Sequence, residues 1–322
     1  MSRTLVRLLL IVGAAVLVLV SATLVLVQLR WTRTFDVPFP DIAASRDPAV
    51  VARGAYLVYG AAACANCHIP REDWPKLNAG GTPPLTGGHV FPLPFGTWFS
   101  ANLTSDPETG IGRRTDGELA RVLRTGTRAD GRAAFPLMEY ERMADDDLRA
   151  VISFLRTQPA VRNPVPDHRL TFFGKALMAF AIEPVQGSLQ KERPAAASDD
   201  ERGRYLANDL SLCASCHTDR SERDGSFVGP RFAGGQRMEV AGDETQVYVT
   251  PNLTPDPDTS VIGRWTEADF LARFRMGELI VGTPMPWGAY ARMTEEDLRS
   301  LYRYLRGLQA VRHDTGPVVQ GR

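Results

Sequence analysis

Two short stretches of the chain place thiol and imidazole groups at a spacing that can hold a porphyrin. They read CANCH (Cys64–His68) and CASCH (Cys213–His217), so each has the pattern C-x-x-C-H. Two thiols three positions apart on one helical turn can form thioethers with the vinyl groups of one haem, and the adjoining histidine can then bind its iron. The sequence therefore predicts two covalently bound haem c groups. The predicted attachment cysteines and iron-binding histidines are Cys64, Cys67, His68, Cys213, Cys216 and His217.

Other uses of paired cysteines explain the pattern less well. All four cysteines of the chain fall within the two motifs. A zinc site built from C-x-x-C pairs needs no histidine directly after each pair. A redox dithiol of the C-x-x-C type is not expected twice, each time followed by histidine. Haem attachment is therefore the interpretation that uses every feature shared by the two pentapeptides, namely both thiols and the imidazole.

The N-terminal region contains a long uncharged stretch, LLLIVGAAVLVLVSATLVLV at residues 8–27. Such a helix is long enough to cross a bilayer core of about 30 Å. It exceeds the roughly 7–15 residues of a signal-peptide apolar region, and no A-x-A-like site follows it. A buried core helix is the alternative, and arginines on both sides leave the orientation open. We predict an uncleaved signal anchor at residues 1–30, then a proline-bearing juxtamembrane linker at residues 31–48.

Three blocks of sequence occur twice, in the same order and at an offset of 149 to 151 residues. They are RGAYLVYGAAACANCH and RGRYLANDLSLCASCH, NLTSDPETGIGRRT and NLTPDPDTSVIGRWT, and YERMADDDLRAVISFLRTQPAVR and YARMTEEDLRSLYRYLRGLQAVR. The chain thus carries two copies of one module, each of ordinary domain size. We place the first module at residues 49–162 and the second at residues 198–313. An interdomain linker at 163–197 separates them, and a tail at 314–322 follows.

The patterns within each module predict helices joined by long loops rich in glycine, proline and asparagine. One helix leads into each C-x-x-C-H motif, and another closes each module, beginning near Ala144 or Thr294 with acidic residues in its first turn. A further helix is expected at Asp116–Arg124 and at Glu267–Phe274. In the linker, the apolar segment at 170–180 is expected to pack across the domain interface, since it is too short for a second membrane span.

Each module resembles a monohaem cytochrome c domain, with its N-terminal helix, C-x-x-C-H motif, long loop and closing helix. The pair resembles the membrane-bound multihaem cytochrome c subunits that take electrons from alcohol, aldehyde or gluconate dehydrogenases. This resemblance implies an all-α fold of two tandem class I-type cytochrome c domains behind one transmembrane helix. It also implies a methionine as the sixth iron ligand in each module. Because the family acquires its haem outside the cytoplasm, the body should face the periplasm from the bacterial inner membrane.

The sixth ligand is easier to assign in the second module than in the first. The segment TPMPW around Met285 resembles the M-P-[YW] ligand loop of the family. A gapless alignment places Phe135 opposite that methionine, and Met138 follows three residues later. We predict Met285 and Met138 as the two ligands. For the first module Met143, His89 or an open position remain alternatives.

The remaining histidines and methionines have simpler expected roles. His89 lies in a glycine-rich loop and is expected at the surface, as are His168 and His313, which follow the closing helices. Met293 occurs at the start of the last helix, in a position that both modules share as Met143, so both side chains are expected in the core.

Each module also contains the tripeptide N-L-T, at Asn102 and Asn252. This tripeptide can be an N-glycosylation acceptor. In a haem domain we instead expect a hydrogen-bonding loop, in which the two amides bind haem propionates.

Composition and motifs favour an electron-transfer protein. The formal net charge is +0, which gives no indication of nucleic-acid binding. There is no nucleotide-binding glycine fingerprint and no hydrolase nucleophile elbow. We predict a relay of single electrons from a periplasmic dehydrogenase to a quinone, a cytochrome or a terminal oxidase. The alternatives are a dihaem enzyme, peroxidase-like or thiosulfate-oxidising, that uses the first haem as its substrate site, and a haem-based sensor.

Overall fold

The computed structural model describes residues 2–185, 199–221, 225–240, 243–280 and 282–321. Its helices are α1 (Arg3–Arg30), α2 (Pro48–Tyr56), α3 (Cys64–His68), α4 (Trp74–Asn78), α5 (Asp116–Thr125), α6 (Asp145–Leu155), α7 (Phe172–Phe180), α8 (Asp199–Tyr205), α9 (Cys213–Cys216), α10 (Val261–Arg264), α11 (Glu267–Arg275), α12 (Trp287–Tyr290) and α13 (Glu295–Arg306). Its strands are β1 (Val90–Leu93), β2 (Gly96–Phe99), β3 (Arg169–Leu170), β4 (Arg237–Val240), β5 (Asp243–Val249) and β6 (Val319–Gly321).

The fold is mostly helical, with 43% of residues in helices. Two small antiparallel sheets, β1-β2-β3 and β4-β5-β6, qualify the all-α expectation. In each sheet a hairpin pairs with a strand from beyond the closing helix, as in the pairs Gly96↔Leu170 and Val247↔Gln320. Neither sheet was predicted from the sequence. The third strand of each lies about 70 residues from its partner, outside any local pattern.

The predicted middle and closing helices are present in both modules. Thr115 begins α5 and Thr266 begins α11, each through a capping box in which the threonine side chain accepts a backbone N–H bond. Three acidic residues occupy the first turn of α6, and three occupy that of α13, where they face the positive end of the helix dipole.

The first and last helices of each module cross at a glycine. In the first module Gly54 of α2 lies against α6, where a Cβ atom would approach the Ala150 carbonyl oxygen to 1.9 Å. In the second module Gly203 of α8 lies against α13, where a Cβ atom would approach the Ser300 oxygen to 2.2 Å. Only glycine permits this close contact, so the crossing of the terminal helices is repeated in both copies of the module.

The two modules contact each other through a reciprocal pair of hydrogen bonds. The Tyr205 hydroxyl of the second module donates to Asp147 Oδ2 of the first at 3.0 Å. The equivalent Tyr56 hydroxyl of the first module donates to Asp297 of the second. A continuous cluster of buried apolar side chains extends through both modules. The contact thus has the approximate twofold character of a symmetric dimer interface.

The segment between α1 and α2 lies along the first module as an extended, hydrogen-bonded chain. The Phe35 N–H donates to the Gly131 carbonyl at 2.8 Å, and the Ala44 N–H donates to Asp116 Oδ2 at 2.8 Å. Ile42 is buried. The predicted juxtamembrane linker is therefore tied closely to the first module.

Helix α1 is long and apolar enough to cross a membrane, with a mean hydropathy of 2.9. The segment at 170–180 forms α7, but it packs against the end of α1 and not across the contact between modules. Lys175 Nζ of α7 donates to Gln28 Oε1 of α1 at 3.3 Å. The expectation that this segment packs across the domain interface was wrong. Apolar periodicity shows that a helix buries one face, but it does not show which element packs against that face. Residues 186–198, which include the last 12 residues of the predicted linker, lie outside the described residues.

Candidate haem-binding sites

Each C-x-x-C-H motif lies on a short helix, α3 or α9, that follows a sharp change in chain direction. A π-helical turn ends the preceding helix, and the next residues, Ala63 and Leu212, have φ of 49° and 51°. This left-handed conformation is uncommon for residues other than glycine, and it recurs at the same position in both modules. It turns the cysteine-bearing helix away from the helix before it.

The four cysteines are unpaired thiols. Cys64 and Cys213 are half-buried, whereas Cys67 and Cys216 are exposed. Burial raises the pKa of Cys64 and Cys213 to about 12, so both are protonated at neutral pH. Within the described residues, no group of three or more His, Cys, Asp and Glu side chains could hold a metal ion by themselves. The paired thiols of the described residues therefore do not form a conventional zinc cluster.

The two motif histidines are fixed in the same orientation. His68 Nδ1 lies 2.9 Å from the Ala101 carbonyl oxygen, and His217 Nδ1 lies 2.9 Å from that of Pro251. The carbonyl requires Nδ1 to be the donor, which leaves the Nε2 lone pair free for a metal. Burial lowers the pKa of both imidazoles, so they are neutral at physiological pH. These residues fit haem c, with Nε2 as the iron ligand.

Two glycines bring the next loop against each histidine. The Gly87 N–H donates to the His68 carbonyl at 2.9 Å, and the Gly234 N–H donates to the His217 carbonyl at 2.9 Å. Both glycines have φ of +72°, and a Cβ atom at either would approach backbone atoms to 2.4 Å. The same loop geometry therefore supports the imidazole in both modules.

His89 belongs to this supporting loop. Its ring stacks on Trp74 with a centroid distance of 5.4 Å and makes an edge contact with Phe91 at 4.7 Å. The side chain is half-buried, so the expectation of a surface-loop histidine was wrong. Trp74 and Phe91 thus hold the His89 ring in the loop that supports His68.

The other two histidines differ from each other. His168 is exposed, as expected. His313 is half-buried, and its Nδ1 lies 3.0 Å from the Ala233 carbonyl oxygen, so the expectation of solvent exposure was wrong here. Its burial follows from the strand β6, which brings the chain after α13 back onto the second module.

Met285 lies in the loop between α11 and α12 and packs, half-buried, against the core. Its N–H lies 3.3 Å from Thr283 Oγ1, and its carbonyl accepts the Trp287 N–H at 2.8 Å. The guanidinium of Arg273 lies 3.5 Å from the Trp287 ring centroid and fixes that side of the loop. The thioether is thus carried by a short, well-braced turn.

Met138 is also half-buried, in the corresponding loop of the first module. Phe135, which aligns with Met285, packs instead against Phe95 and Trp98, at centroid distances of 5.0 and 4.7 Å. The position that carries the methionine in the second module is therefore occupied by an aromatic contact in the first. The iron-binding roles of Met138 and Met285 stay predictions.

Met143 and Met293 are each 1% exposed and lie in the hydrophobic core, which confirms their predicted packing role. Met143 is thus the counterpart of Met293 and not of Met285.

A tyrosine after Met285 and another after Met138 each anchor the methionine-containing loop to the turn before the cysteines. The Tyr290 hydroxyl donates to the Ser211 carbonyl at 2.6 Å, and the equivalent Tyr140 hydroxyl donates to the Ala62 carbonyl. Burial raises the pKa of both phenols well above the usual value, so both remain donors. Met285 lies five residues before its anchor and Met138 only two, so the two loops reach the site differently.

The asparagines of the N-L-T tripeptides have a structural role that differs from the expected one. Asn252 is fully buried; its amide donates to the Val311 carbonyl at 2.8 Å and to Thr259 Oγ1 at 3.2 Å. Asn102 makes the matching bonds to Val161 and Thr109. Both N–H groups of each amide are therefore used within the protein. They fasten the loop to the chain after the closing helix and are not free for haem propionates.

The two sites lie on either side of the contact between the modules. The Ser211 hydroxyl, just before the second motif, donates to the Ala61 carbonyl, just before the first, at 2.7 Å. The turns that lead into the two motifs are therefore in direct contact.

Six residues that hold the helices, the module interface and the methionine loops in place were not predicted from the sequence. These are the crossing glycines Gly54 and Gly203, the interface tyrosines Tyr56 and Tyr205, and the anchors Tyr140 and Tyr290. A signal was present, because all six lie at equivalent positions within the repeated blocks. Identity between the two copies marked them as constrained but did not say by what.

Comparison with known proteins gives relatives over most of the chain, and no family model matches it. The chain is 31% identical over 284 residues to the alcohol dehydrogenase (quinone) cytochrome c subunit of Gluconobacter oxydans, which covers 84% of this chain and 57% of the relative. It is 28% identical over 285 residues to the fructose dehydrogenase cytochrome subunit of Gluconobacter japonicus, covering 84% and 55%. It is 27% identical over 274 residues to a diheme cytochrome c-type protein of Cereibacter sphaeroides, covering 79% and 84%.

The chain is therefore homologous to cytochrome c subunits of dehydrogenases and to a dihaem cytochrome c, which confirms the resemblance that the sequence indicated. It spans little more than half the length of the two dehydrogenase subunits. The dihaem protein is matched over most of its length.

Proposed function

We propose that this chain, a relative of the cytochrome c subunits of alcohol and fructose dehydrogenases, is a membrane-anchored dihaem cytochrome c. It relays single electrons from a periplasmic dehydrogenase to the respiratory chain, with a quinone, a cytochrome or a terminal oxidase as acceptor. Two class I-type cytochrome c domains, the first and second modules, carry one haem c each. The inner membrane holds the chain through α1, with the modules in the periplasm.

One observation carries this proposal: both motif histidines present the same nitrogen, Nε2, with Nδ1 fixed by a backbone carbonyl at 2.9 Å. A single such histidine occurs in many folds. Two of them, each directly after a C-x-x-C pair in a duplicated module, favour two covalently bound haems. When bound, haem c supplies reversible one-electron exchange between ferric and ferrous iron.

The residues of this chain then have distinct tasks. Cys64, Cys67, Cys213 and Cys216 hold the porphyrins, and the Ala101 and Pro251 carbonyls orient the histidines. A methionine opposite histidine raises the reduction potential, and Met285 and Met138 would supply it. A coordinately saturated iron suits electron transfer, since neither ligand has to leave.

The contact between modules suits transfer from one haem to the other. The turns that lead into the two attachment motifs meet there, since the Ser211 hydroxyl donates to the Ala61 carbonyl at 2.7 Å. Beside the tyrosine–aspartate bonds, the interface contains a continuous cluster of buried apolar side chains, so little water has to reorganise when an electron crosses it. An electron accepted by one module can thus reach the other without leaving the protein.

A redox titration of the full chain, produced with c-type haem maturation and purified in detergent, tests the proposal. We expect two haems per chain by haem-to-protein ratio, low-spin ferric spectra and two one-electron steps. Cys213→Ala with Cys216→Ala should remove one haem and one step, and the matched pair Cys64→Ala with Cys67→Ala should remove the other.

One result would overturn the relay in favour of an enzyme. A high-spin ferric haem in the first module that binds peroxide or another small ligand would show an open sixth position. Such an open position is expected in the first module if anywhere, because Phe135 stands where the second module has Met285.

A further inference from the structure

Helix α7 carries an exposed aromatic face. Phe172, Phe173 and Phe180 are 48%, 61% and 48% exposed. With 3.6 residues per turn, these three positions fall within about 100° of the helix surface, with Ala176 between them. Gly174 and Ala179, on the remaining surface, are buried. Three exposed phenylalanines on one face of a nine-residue helix form a patch of the kind that marks an interaction site.

This face lies beside the end of α1. Lys175 of α7 bonds to Gln28 and lies 5.0 Å from the Trp31 ring centroid. The guanidinium of Arg30 lies 5.5 Å from the ring centroid of Phe180. Val27, the last residue of the uncharged stretch, is the one buried residue of α1. Helix α7 therefore meets α1 at the level where its apolar segment ends and its polar residues begin.

We propose that α7 lies in the surface of the bilayer that α1 spans, with Phe172, Phe173 and Phe180 inserted among the lipids. This inference rests on the proposed membrane anchoring. Aromatic side chains are favoured at the boundary between acyl chains and headgroups, and interfacial helices bury their apolar face about 5–10 Å into it. Arg30 and Lys175, in the same contact, are placed to meet lipid phosphates.

Lipid is the occupant that the position of this face favours. A span of 20 uncharged residues is about 30 Å long, which matches the bilayer core and puts its end, Val27, at the boundary. Because α7 touches α1 at that end, its exposed face is continuous with the lipid-facing surface of the span.

Helix α7 is rigidly attached to the first module. The Phe95 carbonyl accepts bonds from the Thr171 N–H at 3.1 Å and the Thr171 hydroxyl at 3.0 Å. A Cβ atom on Gly174 would approach the same oxygen to 2.1 Å. Beyond the helix, Arg33 donates to the Ile182 carbonyl at 3.0 Å and pairs with Glu183 at 3.1 Å. Insertion of α7 would thus hold the first module against the membrane, and its haem would be the nearer one to a membrane-bound acceptor.

Thiol labelling of the full, haem-loaded chain in phosphatidylcholine–phosphatidylglycerol vesicles tests this. Haem attachment consumes the four native thiols, so an introduced cysteine is the one reactive thiol. Phe173→Cys reports the aromatic face, and Phe180→Cys repeats the measurement if the first variant loses haem. Val228→Cys is the matched control, since Val228 is also 61% exposed but lies on the second module.

We expect a charged, water-soluble maleimide to label position 173 at least tenfold more slowly than position 228. A benzophenone attached at 173 should crosslink to lipid on irradiation. Equal labelling rates at the two positions, in chain that floats with the vesicles, would overturn the inference. The aromatic face of α7 would then be available to a protein partner. A chain that does not float would overturn the anchor and this inference together, while the redox titration would still decide the electron relay.

Discussion

At the scale of single residues, the proposed haem sites of the two modules differ in their methionine loops. Met285 sits in a turn braced by Thr283 and Trp287, whereas the aligned residue of the first module, Phe135, packs on Phe95 and Trp98. The histidine side is the same in both modules. Any difference in reduction potential between the haems should therefore originate on the methionine side.

Replacing Met285 by histidine should lower the potential of the second haem. An imidazole stabilises ferric iron better than a thioether, and the fall should be a fraction of the about 0.8 V that axial ligands span. Potentiometric titration measures it. Met293→Leu is the control, because Met293 is buried in the core and the potential should not move. An unchanged potential in Met285→His would exclude Met285 as ligand.

Met138→Ala should remove the near-infrared band of one methionine-ligated ferric haem and convert that haem to high spin. Leu137→Ala provides the comparison, since Leu137 is the exposed neighbour in the same loop. Absorption spectra of the two variants suffice. If both leave the spectrum unchanged, another group ligates the first iron.

At the scale of elements, the crossing of the terminal helices forms the base of each module. The helix that ends in the π-helical turn and leads to the cysteines is held by the closing helix, through Gly54 on Ala150 and Gly203 on Ser300. The position of each haem-binding motif therefore depends on a contact with a helix about 90 residues later in the chain.

Gly54→Ala should destabilise the protein by about 1–3 kcal/mol or more, because its Cβ has to displace the Ala150 carbonyl. Thermal unfolding of the haem-loaded chain would report this. Gly307→Ala is the matched control: its Cβ would lie 3.5 Å from the nearest atoms, an ordinary contact. Equal midpoints for the two variants would show that the helices separate at little cost.

At the scale of the whole molecule, the reciprocal tyrosine–aspartate bonds join two haem modules into one body. Each aspartate also pairs with an arginine of its own module: Asp147 with Arg53 at 2.8 Å, and Asp297 with Arg202. Burial of the two tyrosines raises the pKa of each phenol, so the hydroxyls stay protonated and continue to donate. The buried carboxylates are thereby fully paired, which is the condition for tolerating charge in an interface.

Tyr205→Phe should lower the unfolding midpoint of the entire body and not of one module. The change removes the bond to Asp147 and leaves the Ala144 N–H, 3.0 Å from the hydroxyl, without its acceptor. We expect a loss of about 1–3 kcal/mol, or about 2–4 °C per kcal/mol in the midpoint.

Calorimetry distinguishes one shifted transition from two. Tyr302→Phe serves as comparison, because its hydroxyl bonds within the second module, to the Trp265 carbonyl at 2.8 Å. Two separate transitions in Tyr205→Phe, with one at the original midpoint, would show that the modules unfold independently.

The sequence by itself determined the local features. Motif spacing predicted the haem-attachment cysteines and the histidines, and the repeated blocks revealed two modules. Acidic first turns marked the closing helices α6 and α13, and the middle helices α5 and α11 were also predicted. These features depend on residues a few positions apart, so a local pattern contains them.

Tertiary structure alone decided which surfaces meet. The amides of Asn102 and Asn252 proved to be used within the protein, and α7 to lie on α1. The third strand of each sheet and the tyrosine–aspartate exchange join residues that lie from 58 to 241 positions apart. Periodicity shows that one face of a helix is buried, and the chemistry of a buried amide shows that it needs hydrogen-bond partners. Neither specifies the partner, because the partner is brought there by the packing of the whole chain.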